Sequence, residues 1–416
     1  MSSRLAALRQ SLELLPSPVA ERPGLLLRDP FGYTSQVLII PPPLVPLLCL
    51  FDGAHGEQDL AAALVRATGD DAASEFAGRL ALTLGESGFL ENDDLARRRE
   101  ERHRSFACAE RREPHFAGEA YPEEAAALRT LLDGWLRGID ERTVPQGVYA
   151  VAAPHVSLEG GFRCYASAYR ALPPAAAERT FVVLGTSHYG APERFGLTRK
   201  DFVTPLGVAR SARPLVDRLV RSGGGAVVLE DYCHAVEHSI EFQLLFLQHL
   251  FGPGVRVLPI LCGPFAKATQ GAGRPEDDPA VARFLGALAE LQASEGQRLA
   301  WVLGVDLAHV GRRYGDDADA RTGTAPLAEV EVRDRRRIAT LLAGDADGFW
   351  EAVQEQQDEL NWCGASPLYS FLKATAPKRG ALLRYEQWNI DPASVVSFAA
   401  LAFGRDESTP TGEGGV

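Results

Sequence analysis

Apolar residues in this chain recur with two different spacings, and the alternation between them predicts its architecture. Thr180-Phe-Val-Val-Leu-Gly-Thr-Ser runs up to His188, and Val148-Tyr-Ala-Val-Ala-Ala-Pro up to His155. Leu299-Ala-Trp-Val-Leu-Gly-Val ends at Asp306, with His309 three residues on, and Val255-Arg-Val-Leu-Pro-Ile-Leu ends at Cys262. Short, continuous Val/Ile/Leu runs bounded by Gly and Pro predict strands buried on both faces, as in a parallel sheet. Between them the spacing becomes helical over 122–136, 162–172 and 214–222. A further helix opens at Glu237-His238-Ser-Ile-Glu241, with Ile240, Leu244, Leu247 and Phe251 on its apolar face. Strands alternating with helices in this way predict the α/β class, a doubly wound and mostly parallel sheet. Two late runs, 381–385 and 394–403, add strands to it. Ligands of such sheets bind beyond the carboxyl ends of the strands, so the residues that close these runs should meet in space.

The first hundred residues read as a separate small α+β unit. Leu25-Leu-Leu-Arg-Asp-Pro-Phe-Gly and Gln36-Val-Leu-Ile-Ile flank a turn and predict a hairpin. Pro41-Pro-Pro starts a helix that runs to Phe51. Helices follow over 57–68, with Leu60, Leu64 and Val65 on one face, and over 75–86, and Ser87-Gly-Phe-Leu-Glu-Asn is expected to be a short strand. This winged-helix-like pattern resembles PqqD-like domains, which hold peptide substrates for modifying enzymes. A DNA-binding wing is the rival reading, but the acidic residues around the 57–68 helix oppose it, and a plain accessory or dimerisation role stands beside peptide binding. The charged run Asn92-Asp-Asp-Leu-Ala-Arg-Arg-Arg-Glu-Glu-Arg-His-Arg reads as a solvated helix or linker. The expected division is therefore 1–104 for the small unit and 105–404 for the α/β domain, with 405–416 a tail of disordered composition.

Composition narrows the function. The 416 residues are 46% hydrophobic and 24% charged, as in a soluble globular protein. A net charge of -12 opposes a nucleic-acid surface, which needs clustered Lys and Arg. No apolar stretch reaches the roughly 18–20 residues of a membrane span. The charged residues among the first apolar positions predict no secretory signal. Cysteines at 49, 108, 164, 233, 262 and 363 show neither CxxC spacing nor disulfide density. A cytoplasmic protein with reduced thiols is expected.

The candidate chemistry lies at the strand ends. His155 and His188 each close a strand and enter a turn rich in small residues, Gly160-Gly161 and Thr186-Ser187-His188-Tyr189-Gly190. Asp306 and His309 form a third such site, where the carboxylate can orient or charge the imidazole of a general base or support a metal ligand; alternatively Asp306 caps a turn. His238 and Glu241, three apart at a helix start, share a face and can line the crevice, or Glu237 and Glu241 are first-turn acids. Cys363, in Asn361-Trp-Cys-Gly-Ala-Ser-Pro-Leu, is placed to be a nucleophile, a soft metal ligand or a small buried hydrophobe. His55, His103 and His249 read as structural.

Taken in order, Pro154-His155, Gly185-Thr-Ser-His188, Glu237-His-Ser-Ile-Glu241, Asp306-Leu-Ala-His309 and Cys363-Gly-Ala-Ser-Pro367 resemble the Memo family, whose bacterial members are called AmmeMemoRadiSam system protein B. Pro114-His115-Phe-Ala-Gly118-Glu-Ala-Tyr121-Pro resembles that family's opening segment, so the likeness spans roughly 112–404. It implies a fold similar to class III extradiol dioxygenases and a metal site of His155, His188 and Cys363. Copper or iron is favoured, with zinc a further candidate. His309 and Asp306 would move protons, and His238 and Glu241 would complete the crevice. A thiolate in place of the dioxygenases' glutamate favours Cu(I), Zn or thiolate-bound iron. The chain departs from the family at Val156-Ser-Leu-Glu-Gly-Gly, where Ala-Gly-Tyr is usual, and at Tyr189, where a second His is usual. The resemblance implies a redox enzyme taking a small molecule or peptide, with a radical S-adenosylmethionine protein as partner. A non-catalytic binding module and a zinc-dependent hydrolase are the alternatives.

Overall fold

The computed structural model describes residues 4–17, 19, 21–137, 144–271 and 273–405. The chain forms two compact units, Met1–Cys108 and Ala109–Val416. Except for Arg405, the tail expected to be disordered lies outside the described residues.

In the first unit Leu25–Arg28 pairs antiparallel with Val37–Ile40, the hairpin its apolar runs predict. A third strand, Glu13–Pro16, pairs with Leu25–Arg28 and was not legible in its four residues of mixed exposure. Pro42–Leu50 is a 3-10 helix with proline in its first turn. The helix Glu57–Thr68 starts where the Asp59 carboxylate accepts from the Gly56 N–H at 2.8 Å, and stops at Gly69, whose φ of 70° lies in the left-handed region. Phe76–Glu86 and the charged Asp93–Cys108 are the remaining α-helices. The strand expected after Ser87 reduces to one bridge between Leu90 and Leu8, because the segment is caught between the Gly88 turn and the helix at Asp93.

The second unit is built on a mostly parallel sheet of twelve strands among the described residues. At its centre Val148–Ala153, Leu299–Gly304, Thr180–Thr186 and Arg256–Cys262 lie side by side and parallel. Ser394–Gly404 runs antiparallel along Val148–Ala153 and forms a hairpin with Arg379–Asp391. Side chains alternate across the sheet into two cores. Val182, Leu184, Trp301 and Leu303 belong to one, Phe181, Val183, Ala300 and Val302 to the other, which is why these strands read as unbroken apolar runs. Helices cover the sheet, including Leu158–Arg170, His238–Phe251 and Pro279–Glu295. The fold is thus the α/β class expected, with a large mostly parallel sheet and a small antiparallel three-stranded sheet in the first unit. No helix among the described residues is long and apolar enough to cross a membrane.

Candidate metal centre

Strand register brings the chemistry together. Gly304 pairs with Ala153 on one side and Gly185 on the other, while Thr186 pairs with Cys262. His155, Asp306 and His188 therefore leave the sheet at one edge. Two of those strand ends are glycine because a helix comes down on them. A Cβ at Gly304 would run into the Ser239 carbonyl and lie 2.8 Å from Gln243 Nε2; at Gly185 it would lie 2.5 Å from Ser239 Oγ. The start of the His238–Phe251 helix is then tied to both loops, Ser239 Oγ donating to the Thr186 carbonyl at 2.7 Å and Gln243 Nε2 to the Pro154 carbonyl at 2.9 Å.

This close seating carries His238 to the two strand-end histidines. His155, His188 and His238 each offer a ring nitrogen, all within 4.8 Å of one another, and the group could hold a metal ion. The rings of His188 and His238 stack at 5.0 Å, and His155 stands edge-on to both at 4.9 and 5.2 Å. His155 is buried, whereas His188 and His238 reach the surface.

Hydrogen bonds at Nδ1 decide which nitrogen is left for a metal. His155 Nδ1 lies 2.9 Å from the Gly304 carbonyl, which can only accept, so that nitrogen carries the proton and Nε2 keeps its lone pair. Glu237 does the same for the other two. Its Oε1 lies 3.0 Å from His188 Nδ1 and 3.2 Å from His238 Nδ1. As N-cap of the helix it also accepts from the backbone N–H of His238 at 2.9 Å and of Ser239 at 3.2 Å, and Oε2 accepts from the His188 N–H at 2.9 Å. Burial alone would raise the Glu237 carboxyl; the imidazoles of His188 and His238 hold it well below the usual range. Burial would likewise lower His188, but the Glu237 carboxylate and the Cys363 thiol hold it well above its usual value, so a metal entering there displaces a proton. Burial and the neighbouring His188 and His238 keep His155 neutral.

Asp306 acts on His309 through charge, as its spacing suggested, but gives its hydrogen bonds to the His155 turn. Its Oδ1 accepts from the backbone N–H of His155 at 2.9 Å and of Val156 at 3.1 Å, and Oδ2 lies 3.5 Å from His155 Nε2. His309 takes its orientation from the Leu307 carbonyl, 3.0 Å from Nδ1, which leaves Nε2 as an acceptor, and burial lowers its imidazole to about 4. Cys363 stands beside the imidazoles, with Sγ 3.3 Å from His155 Nε2 and 3.7 Å from the Asp306 carbonyl. Its thiol is raised by burial, against a lowering hydrogen bond to His188. Glu241 is not in this group. Its carboxylate accepts from Arg112, from Tyr121 and from the backbone N–H groups of His115 and Phe116 at 3.1 and 3.0 Å. It anchors the 112–121 segment, whose Phe116 ring packs edge-on to His238 at 5.7 Å. Beside the group a cavity of about 390 Å³ is lined by His188 and Cys363, with Phe265, Trp350 and Trp362 among its walls.

Sequence reasoning missed Glu237 as the shared clamp and His238 as a member of the donor group. A glutamate at the N-cap, where Ser, Thr, Asp and Asn are preferred, was the available signal.

The fold is a mostly parallel α/β sheet whose carboxyl edge brings together three imidazoles that could hold a metal ion. A sequence model of the Memo-like proteins matches residues 112–402, and the chain belongs to that family. A MEMO1 family protein of Aquifex aeolicus is 28% identical over 382 residues, 91% of this chain and 95% of its own. One from Methanosarcina barkeri is 26% identical over 296 residues, 70% of this chain and 98% of its own. The second unit, 109–416, has 308 residues, fewer than the Aquifex match, so that similarity reaches into the first unit. A crystal structure of an uncharacterized Escherichia coli K12 protein aligns at 13% identity with a TM-score of 0.39, covering 61% of this chain and 99% of its own.

Proposed function

We propose that this chain is a metal-dependent redox enzyme whose single transition-metal ion, copper or iron, is held by His155, His188 and His238. The observation that carries the reading is the pairing of each Nδ1 with a carbonyl or carboxylate acceptor, which leaves three neighbouring Nε2 lone pairs for one ion. The ion would supply electron transfer or Lewis acidity. The Cys363 thiol, at the edge of the group, is a fourth donor or a reductant within reach. A small molecule or peptide group enters through the cavity bounded by His188 and Cys363. His309 accepts a proton at Nε2, and Asp306 holds the His155 turn through its backbone N–H groups.

One observation favours a second reading. Three imidazoles are also a donor set of catalytic zinc, which would make the protein a hydrolase with His309 as base. Oxygen uptake by anaerobically purified, metal-loaded protein separates them. The redox reading expects oxygen consumption or Cu(II) reduction that stops in His188→Ala; stoichiometric zinc with no response to oxygen would replace it with hydrolysis. The family resemblance extends the proposal to a reduced, cytoplasmic setting, a radical S-adenosylmethionine partner and a peptide-holding first unit, to be tested by co-purification.

A further inference from the structure

Cys363 reaches the imidazoles on a turn with unusual backbone. Gln356, Gln357, Asp358 and Asn361 all have φ between 50° and 55°, in the left-handed region that non-glycine residues avoid. Such a run persists only where its surroundings over-determine it. The structure shows what does so. Arg337, 2% exposed, donates to Asp358 Oδ1 at 2.6 Å, and Asp358 Oδ2 accepts from the Trp362 N–H at 2.9 Å. The Trp362 indole lies under the Arg337 guanidinium at 5.2 Å and donates from Nε1 to Asp334 Oδ1 at 2.7 Å.

Asp334 has no exposed surface, and its other oxygen is bound by residues of the Arg379–Gly404 hairpin. Oδ2 accepts from Tyr385 at 2.8 Å and from Ser397 Oγ at 2.5 Å. Ser397 in turn accepts at Oγ from the Ala308 N–H at 2.9 Å, and its backbone pairs with Leu307 and Ala308. One buried carboxylate therefore braces two turns, the one that ends at Cys363 and the one that carries Asp306 and His309. The turns also meet directly, His309 N–H donating to the Leu360 carbonyl at 2.8 Å and Gly364 N–H to the Asp306 carbonyl at 3.2 Å.

We propose that Asp334, which touches none of the three imidazoles, is the positioning residue that holds the Cys363 turn and the Asp306–His309 turn in register against them. Trp362 is the arm through which it reaches Cys363, and Ser397 the arm through which it reaches Ala308. The proposal rests on the metal reading only for the second of its two readouts.

The test compares full-length wild type with Asp334→Asn, Trp362→Phe and, as control, Trp301→Phe. The control removes an indole hydrogen bond of similar length, Trp301 Nε1 to Gln292 at 2.9 Å, outside the two turns. After chelation, the alkylation rate of Cys363 by iodoacetamide is read by peptide mass spectrometry against the exposed Cys108 in the same sample. Zinc affinity is then measured with a competing dye. Asp334→Asn and Trp362→Phe should speed alkylation at Cys363 alone and weaken zinc binding by roughly 10–100-fold, while Trp301→Phe changes neither. Trp362→Phe decides the matter if Asp334→Asn does not fold. Wild-type values for both readouts in Trp362→Phe, or an equal rise in Trp301→Phe, would overturn the proposal. A wild-type chain that binds no zinc removes the metal reading, and the alkylation comparison still decides the role of Asp334.

Discussion

Replacing Glu237 with Gln removes one negative charge from the centre of the clamp without changing its size. The amide keeps one acceptor oxygen and presents an NH₂ group at the other position. On the Oε1 side that NH₂ would face the N–H groups of His238 and Ser239 and His188 Nδ1; on the Oε2 side it would face the His188 N–H. At least one buried N–H loses its acceptor, at about 1–3 kcal/mol. His188 can escape the clash by moving its ring proton from Nδ1 to Nε2, which removes the lone pair a metal needs. Loss of an outer hydrogen bond to one metal-bound histidine weakens binding by roughly 10–100-fold. Glu237 serves two histidines, so the combined loss is on the order of 10²–10⁴-fold, or about 3–6 kcal/mol. Zinc titration against a competing dye measures it, with the chelated protein's melting temperature reporting the smaller folding term. Zinc affinity in Glu237→Gln within about threefold of wild type, below the effect of even one such contact, would refute the reasoning.

Gly304→Ala should drive its new methyl into the Ser239 carbonyl and lift the start of the His238 helix. Overpacking of this kind costs about 1–3 kcal/mol, so lower melting temperature and weaker metal binding are expected together, and a variant unchanged in both would contradict the close seating. Burial would raise the Glu241 carboxyl, but Arg112, then Tyr121 and the N–H groups of Phe116 and His115, hold it below its ordinary value of 4.5. A depressed carboxyl contributes stability that is present above the unfolded value and is lost as pH falls through the lower folded value. Glu241→Gln should therefore be less stable at neutral pH by about 3–5 kcal/mol and lose less on acidification below about pH 4.5. Parallel melting profiles of the two proteins from pH 7 to 3 would count against that role.

Much of the fold could be read from the chain because the central strands are buried on both faces and confine their few polar residues, such as Thr180, Thr186 and Arg256, to the strand ends. Glu13–Pro16 escaped notice because its exposure alternates while its residue types do not, Leu14 being as apolar as Leu15 yet exposed. His155 and His188 were found as candidates because a strand end is a place that sequence can locate. Glu237, His238 and Cys363 were harder, because their relations depend on how closely a helix and a turn approach the sheet. That approach is set by Gly185 and Gly304, where a missing side chain admits Ser239, and by Asp334, whose partners Trp362, Tyr385 and Ser397 are scattered along the chain. Asp306 and His309 suggested a pair by their spacing; the two interact through charge, while the hydrogen bonds of the carboxylate go to the backbone of His155 and Val156, which spacing could not show.

Whether three imidazoles form the primary metal group, with the Cys363 thiol beside it, is decided by the metal content of anaerobically purified wild type, His155→Ala, His188→Ala, His238→Ala and Cys363→Ala. One bound ion is expected in wild type, lost in all three histidine variants and retained at weaker affinity in Cys363→Ala. Full occupancy in His238→Ala, with loss in Cys363→Ala, would contradict that grouping and return the thiol to the place of His238.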